Sequence, residues 1–201
     1  QALLQNEIEI SAVFTHKDNS KENIWFGSVA ELAATHNIPV FAPEDINHPI
    51  WVQKIKDQDP EIIFSFYYRR IIKSNILGIP QNGCLNLHGS LLPKYRGRCP
   101  INWMLINGET QGGVTLHYMT SKPDSGDIVA QDKYDISEET SRISYHLSQF
   151  DLYVRNEIYP GKKINFLSQE LFREINTIGS KSNNEIISIL VVDFKTYLEK
   201  I

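Results

Sequence analysis

Asn86 and His88 are the side chains with the clearest chemical potential in this sequence. Both sit in Gly83-Cys84-Leu85-Asn86-Leu87-His88, which reads as a short buried strand, and on a strand side chains two apart point the same way. One extended segment therefore presents an amide and an imidazole side by side. Imidazole as a chemical group can take up or release a proton, as general acid–base catalysis requires. The amide can donate an N–H to an oxygen on which negative charge develops, a placement worth on the order of 3 kcal/mol when the donor is preorganised. Gly89 permits a sharp exit from the strand, Pro93 stops regular pairing and Gly97 allows another tight backbone approach, so the pair stands at the mouth of a loop. A histidine at a strand end is by default a hydrogen-bonded structural residue. The surrounding string is what raises this one to a candidate.

The elements that must position that loop alternate along the chain. Residues 8–14 read as a strand, and residues 24–37 carry Trp25, Val29, Leu32 and Ala33 at helical spacing, so that helix should lay one face on a sheet. Residues 38–41 form a second strand, and Pro49 opens a helix reaching about Gln58, with His48 before it as a turn or capping residue. His16 falls in a polar loop, residues 15–20, and is expected to be exposed. Residues 61–66 are a nearly continuous apolar run after Pro60, as expected of a strand covered on both faces. Alternation of this kind predicts a doubly wound α/β sheet, in which ligands collect beyond the carboxyl ends of the strands. Tyr67, Tyr68, Arg69, Arg70, Ile71 and Ile72 lie at such an end.

Past the His88 loop, residues 98–106 read as a helix begun through Pro100, with Trp103 and Leu105 as core. Residues 113–119 and 127–131 read as strands joined by a turn over 120–126, where an Asp beside Gly is structural by default. A further helix starts around residues 138–141 and is broken at Tyr159-Pro160-Gly161. Residues 167–178 and 184–201 each have helical periodicity and read as packing helices without chemistry, with His146 on a helix face.

Composition narrows the function classes. A chain of 201 residues is one-domain in length, and its hydrophobic 41% and charged 22% are those of a soluble globular protein. A net charge of -4 gives no electrostatic reason to expect nucleic-acid binding. Cys84 and Cys99 form no C-x-x-C pair and suit reduced thiols, no His/Cys/carboxylate cluster has metal-ligand spacing, and no apolar run approaches the roughly 20 residues that span a bilayer. The expectation is a cytoplasmic protein with no metal, no membrane insertion, no nucleic-acid partner and room for homo-oligomerisation.

The string Asn86-Leu87-His88-Gly89-Ser90-Leu91-Leu92-Pro93-Lys94-Tyr95-Arg96-Gly97-Arg98 is followed by Pro100-Ile101-Asn102-Trp103 and Asn107-Gly108-Glu109-Thr110. Gly113-Val114-Thr115-Leu116-His117 and Asp124-Ser125-Gly126-Asp127-Ile128-Val129 come next. Together with Phe64-Ser65-Phe66-Tyr67-Tyr68-Arg69, this resembles the folate-dependent formyltransferases from about Ala2 to about Ile136. Within them it is most similar to the formyltransferase domain of bifunctional polymyxin-resistance enzymes, which formylates UDP-4-amino-4-deoxy-L-arabinose. The resemblance implies a formyltransferase-type, Rossmann-like doubly wound sheet whose first strand would precede Ala2 and is missing from this chain. It implies a catalytic domain over residues 1–150 and a divergent, mainly helical tail over 151–201.

The same resemblance implies (6R)-10-formyltetrahydrofolate as cosubstrate and a nucleotide-linked aminosugar as acceptor. Asn86, His88 and Asp124 would be catalytic, Asp124 by its place in the pattern alone. Arg70, Ile71, Ile72, Arg98, Thr120, Ser121, Lys122, Pro123 and Asp124 would line the folate pocket. Arg98, followed by Pro100-Ile101-Asn102-Trp103, is similar to the sugar-nucleotide branch, whereas methionyl-tRNA formyltransferases usually carry a small residue there. Three alternatives stay open: another nucleotide-linked aminosugar, methionyl-tRNA, and a truncated homologue that binds folate without turnover.

Overall fold

A computed structural model describes residues 2–17, 28–156 and 160–181. Two compact units divide the chain, Gln1–Asn86 with Tyr118–Gly126, and Leu87–His117 with Asp127–Ile201. Through the first unit run α1 (Ala2–Gln5), β1 (Val13–Phe14), α2 (Val29–Thr35), β2 (Val40–Phe41), α3 (Pro49–Lys56), β3 (Ile63–Phe66) and α4 (Ser74–Leu77). Then β4 (Cys84–His88) leads into the second unit, which continues with α5 (Pro100–Ile106), β5 (Gln111–Tyr118), β6 (Ile128–Asp135), α6 (Ser137–Asn156) and α7 (Gly161–Lys181). The strands form a parallel pair β1-β2 and a four-stranded sheet of order β3-β4-β5-β6. With β5 and β6 antiparallel, this is an α/β fold with a mixed sheet and a helical C-terminal region.

Local chemistry explains the helix starts in the first unit. Ser28 caps α2 by accepting the Glu31 N–H at 3.2 Å. His48 caps α3, its Nδ1 accepting the Ile50 N–H at 3.4 Å, while Pro49 takes the first helical turn, where a missing N–H costs nothing. The capping role expected of His48 is therefore observed. His16 is half-buried, not exposed: its ring stacks on Tyr68 with centroids 4.7 Å apart, and its Nε2 accepts the Arg69 N–H at 3.2 Å. The strand expected over 8–14 shortens to Val13–Phe14, paired with Val40–Phe41, and Ile8 stays largely exposed. On α2 only Ala33 is buried; Val29 and Leu32 are exposed, and Trp25 lies outside the described residues. The core of this unit is Ile46, Val52, Ile55, Ile72 and Ile76, with Phe14, Ile63, Tyr68, Leu77, Ile79 and Met119 packed against it.

In the second unit β5 and β6 pair from Gln111↔Asp135 to His117↔Ile128, with an irregularity between Leu116 and His117. Glycine is required at two ladder positions. A Cβ at Gly112 would enter the Tyr134 ring, and one at Gly113 would lie 2.6 Å from the Asp132 carbonyl oxygen and collide with Leu91. On α5 the buried residues are Pro100, Ile101, Met104 and Leu105, one stripe of a 3.6-residue period. Trp103 falls off that stripe and is 53% exposed, so it is not the core residue its size predicted, whereas Leu105 is.

Helices α6 and α7 pack on one another, and Ile143 on the first and Leu167, Leu171, Ile175 and Ile178 on the second are buried. Within the pair, Arg142 Nε lies 2.7 Å from Glu174 and its Nη2 3.4 Å from Glu139, compensating two carboxylates that are otherwise buried. The break expected at 159–161 falls where α6 and α7 are separate helices, and α7 extends the helix expected over 167–178 in both directions. The helix expected over 184–201 lies outside the described residues.

Candidate active site

Strand β4 carries Asn86 and His88. Its burial runs from Cys84 and Leu85, both buried, through half-buried Asn86 and Leu87 to buried His88. Asn86 ends the first unit and His88 is the second residue of the second unit. Cys84 is well inside: burial pushes its thiol up to about 11, so it carries no thiolate chemistry at neutral pH.

The ring of His88 is fixed by the loop it introduces. Its Nε2 lies 2.8 Å from the Tyr95 carbonyl oxygen, which can only accept, so Nε2 carries the proton. Tyr95 can turn its carbonyl back because it adopts a left-handed conformation (φ 56°), as does Cys99 (φ 53°) further along the loop. The hydroxyl of Ser90, fully buried, donates to the Lys94 carbonyl at 2.7 Å. Beneath it, the buried Thr115 hydroxyl donates to the Ser90 carbonyl at 2.6 Å and accepts from the Leu92 N–H at 3.0 Å and from Gln131 Nε2 at 2.9 Å. At the far side the Tyr95 hydroxyl donates to Glu109 at 2.8 Å, and Lys94 Nζ approaches the same carboxylate at 3.1 Å. The hydrogen bond from Tyr95, then that from Lys94, hold the Glu109 carboxyl below its ordinary range. His88 is thus seated on a loop whose conformation is determined at both ends.

His117 is also present in this unit, 1% exposed, with its ring centroid 6.4 Å from that of His88 in an edge-on arrangement. Neither His117 nor the Thr115 hub was singled out from sequence. The available signal was their spacing two apart on β5, which puts both on one face of the strand. Arg98 lies in this unit and is exposed.

The other expected site residues belong to the first unit. Ile72 is core, whereas Arg70 is exposed and Ile71 is 69% exposed. The backbone beneath them is clamped by Asn47, whose Nδ2 donates to the Ile71 carbonyl at 2.9 Å and whose Oδ1 accepts the Lys73 N–H at 2.8 Å. Thr120, Ser121, Lys122, Pro123 and Asp124 form a turn closed by the Thr120 and Ser125 hydroxyls, each donating to the Lys122 carbonyl, at 2.9 and 2.8 Å. Asp124 is half-buried in a left-handed conformation (φ 48°). A Cβ at Gly126 would run into the Tyr118 carbonyl, so this turn returns against the end of β5 only with glycine there. The first unit therefore gathers Ile72 and Met119, which precedes this turn, in one core, while His88 and Arg98 belong to the second. Among the described residues no group of three or more His, Cys, Asp or Glu side chains could hold a metal ion, and no helix is long and apolar enough to cross a membrane.

An α/β protein with a mixed sheet, an amide and an oriented imidazole at the carboxyl end of one strand, and polar loops beyond it belongs to the enzyme class that binds ligands at such ends. Residues 1–150 match Formyl transferase, and the chain belongs to this family of folate-dependent N-formyltransferases. Residues 119–201 also match Endoribonuclease YicC-like, C-terminal.

Among solved structures, phosphoribosylglycinamide formyltransferase from Bacillus halodurans is 27% identical. The match covers 74% of this chain and 76% of that one, with a TM-score of 0.55. The Streptococcus pneumoniae TIGR4 phosphoribosylglycinamide formyltransferase is 21% identical over 66% of this chain and 74% of its own, with a TM-score of 0.56. A formyltetrahydrofolate deformylase from Pseudomonas syringae pv. tomato is 20% identical over 68% of this chain and 46% of its own, with a TM-score of 0.56. The last two likenesses concern the fold.

Proposed function

We propose that this chain moves a formyl group from (6R)-10-formyltetrahydrofolate to the amino group of UDP-4-amino-4-deoxy-L-arabinose, a step of lipid A modification that underlies polymyxin resistance. The observation that carries the reading is the seating of His88: a buried imidazole with Nε2–H committed to the Tyr95 carbonyl, two residues from an amide on the same strand. The sugar-nucleotide acceptor rests on Arg98 and the following Pro100-Ile101-Asn102-Trp103.

Formyl transfer makes a carbon–nitrogen bond from the amine to the formyl carbon and breaks the one to the folate nitrogen, with a proton passing from the first nitrogen to the second. In this reading Asn86 donates its N–H to the tetrahedral oxygen while negative charge is on it. His88 takes the amine proton on Nδ1 and returns it to the departing nitrogen. Asp124 favours the imidazolium that exists between those events. Arg70, Ile71, Ile72, Arg98 and the Thr120-to-Asp124 turn hold the folate, which supplies the activated one-carbon unit. No enzyme-bound covalent intermediate is needed.

The test is incubation of the chain with 10-formyltetrahydrofolate and a panel of UDP-, dTDP- and GDP-linked 3- and 4-aminosugars, with mass detection of N-formyl product. Product from the UDP-linked arabinose derivative supports the reading, and folate binding without any product replaces it with a non-catalytic homologue. A second acceptor belongs in the panel, because a phosphoribosylglycinamide formyltransferase is 27% identical to this chain. Product from glycinamide ribonucleotide and none from the sugars would move the assignment to that substrate.

A further inference from the structure

The pair α6 and α7 lines an open groove of about 300 Å³ that the formyl-transfer reading does not use. Its walls are Tyr145, His146, Gln149 and Tyr153 from α6, and Lys162, Lys163, Phe166 and Leu167 from α7. Tyr145, Gln149 and Tyr153 are spaced four apart and His146 lies three before Gln149, so the four share one face of α6, and the first turns of α7 supply the others. We propose that this groove is a nucleotide-binding site, taking a nucleoside phosphate with its base among the aromatic rings and its phosphate on the two lysines.

The chemistry of the walls selects that class of ligand. Tyr145 is 61% and Phe166 60% exposed, so both rings offer area to a planar heterocycle. Lys163 Nζ stands 4.8 Å above the Tyr153 ring, which places a cation beside the aromatic wall. Lys162 and Lys163 are both exposed consecutive residues in the first turn of α7, and a Cβ at the preceding Gly161 would meet nothing within 4 Å, so the approach to them is open. His146 lines the groove, and its Nδ1 is buried with no hydrogen-bond partner. The Gln149 amide can both donate and accept, as the edge of a base demands. Among the described residues, the nearby carboxylates do not oppose an anion. Asp151 lies on the far side of α6 paired with Arg155 at 2.8 Å, and Glu170 is paired with Arg173 at 3.1 Å. A volume near 300 Å³ is at the lower end for small-ligand sites and matches one nucleotide unit.

The experiment is titration of the full chain, by calorimetry and by NMR of the His146 ring protons, with AMP, adenosine, inorganic phosphate and a 5′-phosphorylated oligoadenylate. AMP is expected to bind at least about tenfold more tightly than adenosine or phosphate and to shift the His146 resonances. Lys162→Glu with Lys163→Glu should weaken AMP at least about tenfold, and Tyr153→Ala should weaken it several-fold. Circular dichroism checks that the variants are folded, and His88→Ala should leave AMP binding unchanged. An oligoadenylate that binds more tightly than AMP assigns the ligand to an RNA strand, and equal affinity assigns it to the free nucleotide. Failure of AMP to bind at millimolar concentration, affinity no better than that of phosphate, or affinity untouched by the lysine reversals overturns the proposal. None of these readouts depends on formyl transfer, so the two assignments fail separately.

Discussion

Replacing Thr115 by valine tests whether the loop that seats His88 is built on a single hydroxyl. The Thr115 side chain is 0% exposed, and its oxygen makes three hydrogen bonds: to the Ser90 carbonyl (2.6 Å), from the Leu92 N–H (3.0 Å) and from Gln131 Nε2 (2.9 Å). Valine keeps the volume and deletes all three. Gln131 Nε2 retains the Leu92 carbonyl at 2.9 Å, but the Ser90 carbonyl and the Leu92 N–H lose the hydroxyl. Each buried polar group left without a partner costs about 1–3 kcal/mol, so two cost about 2–6 kcal/mol, from which roughly 1 kcal/mol is recovered by the added methyl. For a chain of this length each 1 kcal/mol moves the midpoint by roughly 2–4 °C, so a fall on the order of 10 °C is expected. Thr115→Ser is the control. It keeps the hydroxyl and loses one methyl, a cost of about 1 kcal/mol. Denaturant unfolding of both variants, with formyl transfer measured alongside, decides the matter. Thr115→Val should be clearly the less stable and should lose activity roughly tenfold or more, because Ser90 and Tyr95 are displaced with it. If valine is tolerated better than serine, the hub does not hold the loop and the account of His88 fails with it.

Other perturbations act through the same geometry. Asn86→Ala and His88→Ala should each abolish turnover, on the order of 100-fold or more, while folate affinity stays near wild type, and His88→Ala should also lower the melting midpoint by several degrees because the Tyr95 carbonyl loses the Nε2–H donor of a buried ring; substantial turnover in both would remove the roles assigned. Gly126→Ala should displace the turn carrying Asp124, because its Cβ meets the Tyr118 backbone, and the readout is loss of stability together with kcat. Glu109 titrates below its ordinary value of 4.5 when folded, mainly through the Tyr95 hydroxyl. Its contribution is therefore present above that value and is lost as pH falls through the folded one. Unfolding followed between about pH 6 and pH 3 should show a smaller acid-side loss in Glu109→Gln than in wild type. Alkylation at pH 8 with peptide mapping should label Cys99 well before Cys84, whose buried thiol is pushed up to about 11.

Short-range chemistry was legible from the residues in order. The alternation of strands and helices, Asn86 and His88 two apart on one strand, the cap at His48 and the glycine exits all depend on neighbours within a few positions, and periodicity reports such neighbours directly. Position along the chain could not tell which polar groups meet across it. Thr115 bonds Ser90 and Leu92 through the fold, the Tyr95 carbonyl orients His88 because its backbone turns left-handed, and His117 comes beside His88 from another strand. A hydroxyl or a carbonyl has no periodic signature, so its partner appears only when separate segments are packed. Trp103 shows the same limit for apolar residues: hydrophobicity predicted burial, but the inward stripe of α5 passed through Met104 and Leu105 and left the indole in solvent. Sequence determined which groups were available for proton transfer, and tertiary packing decided which nitrogen of His88 carries the proton.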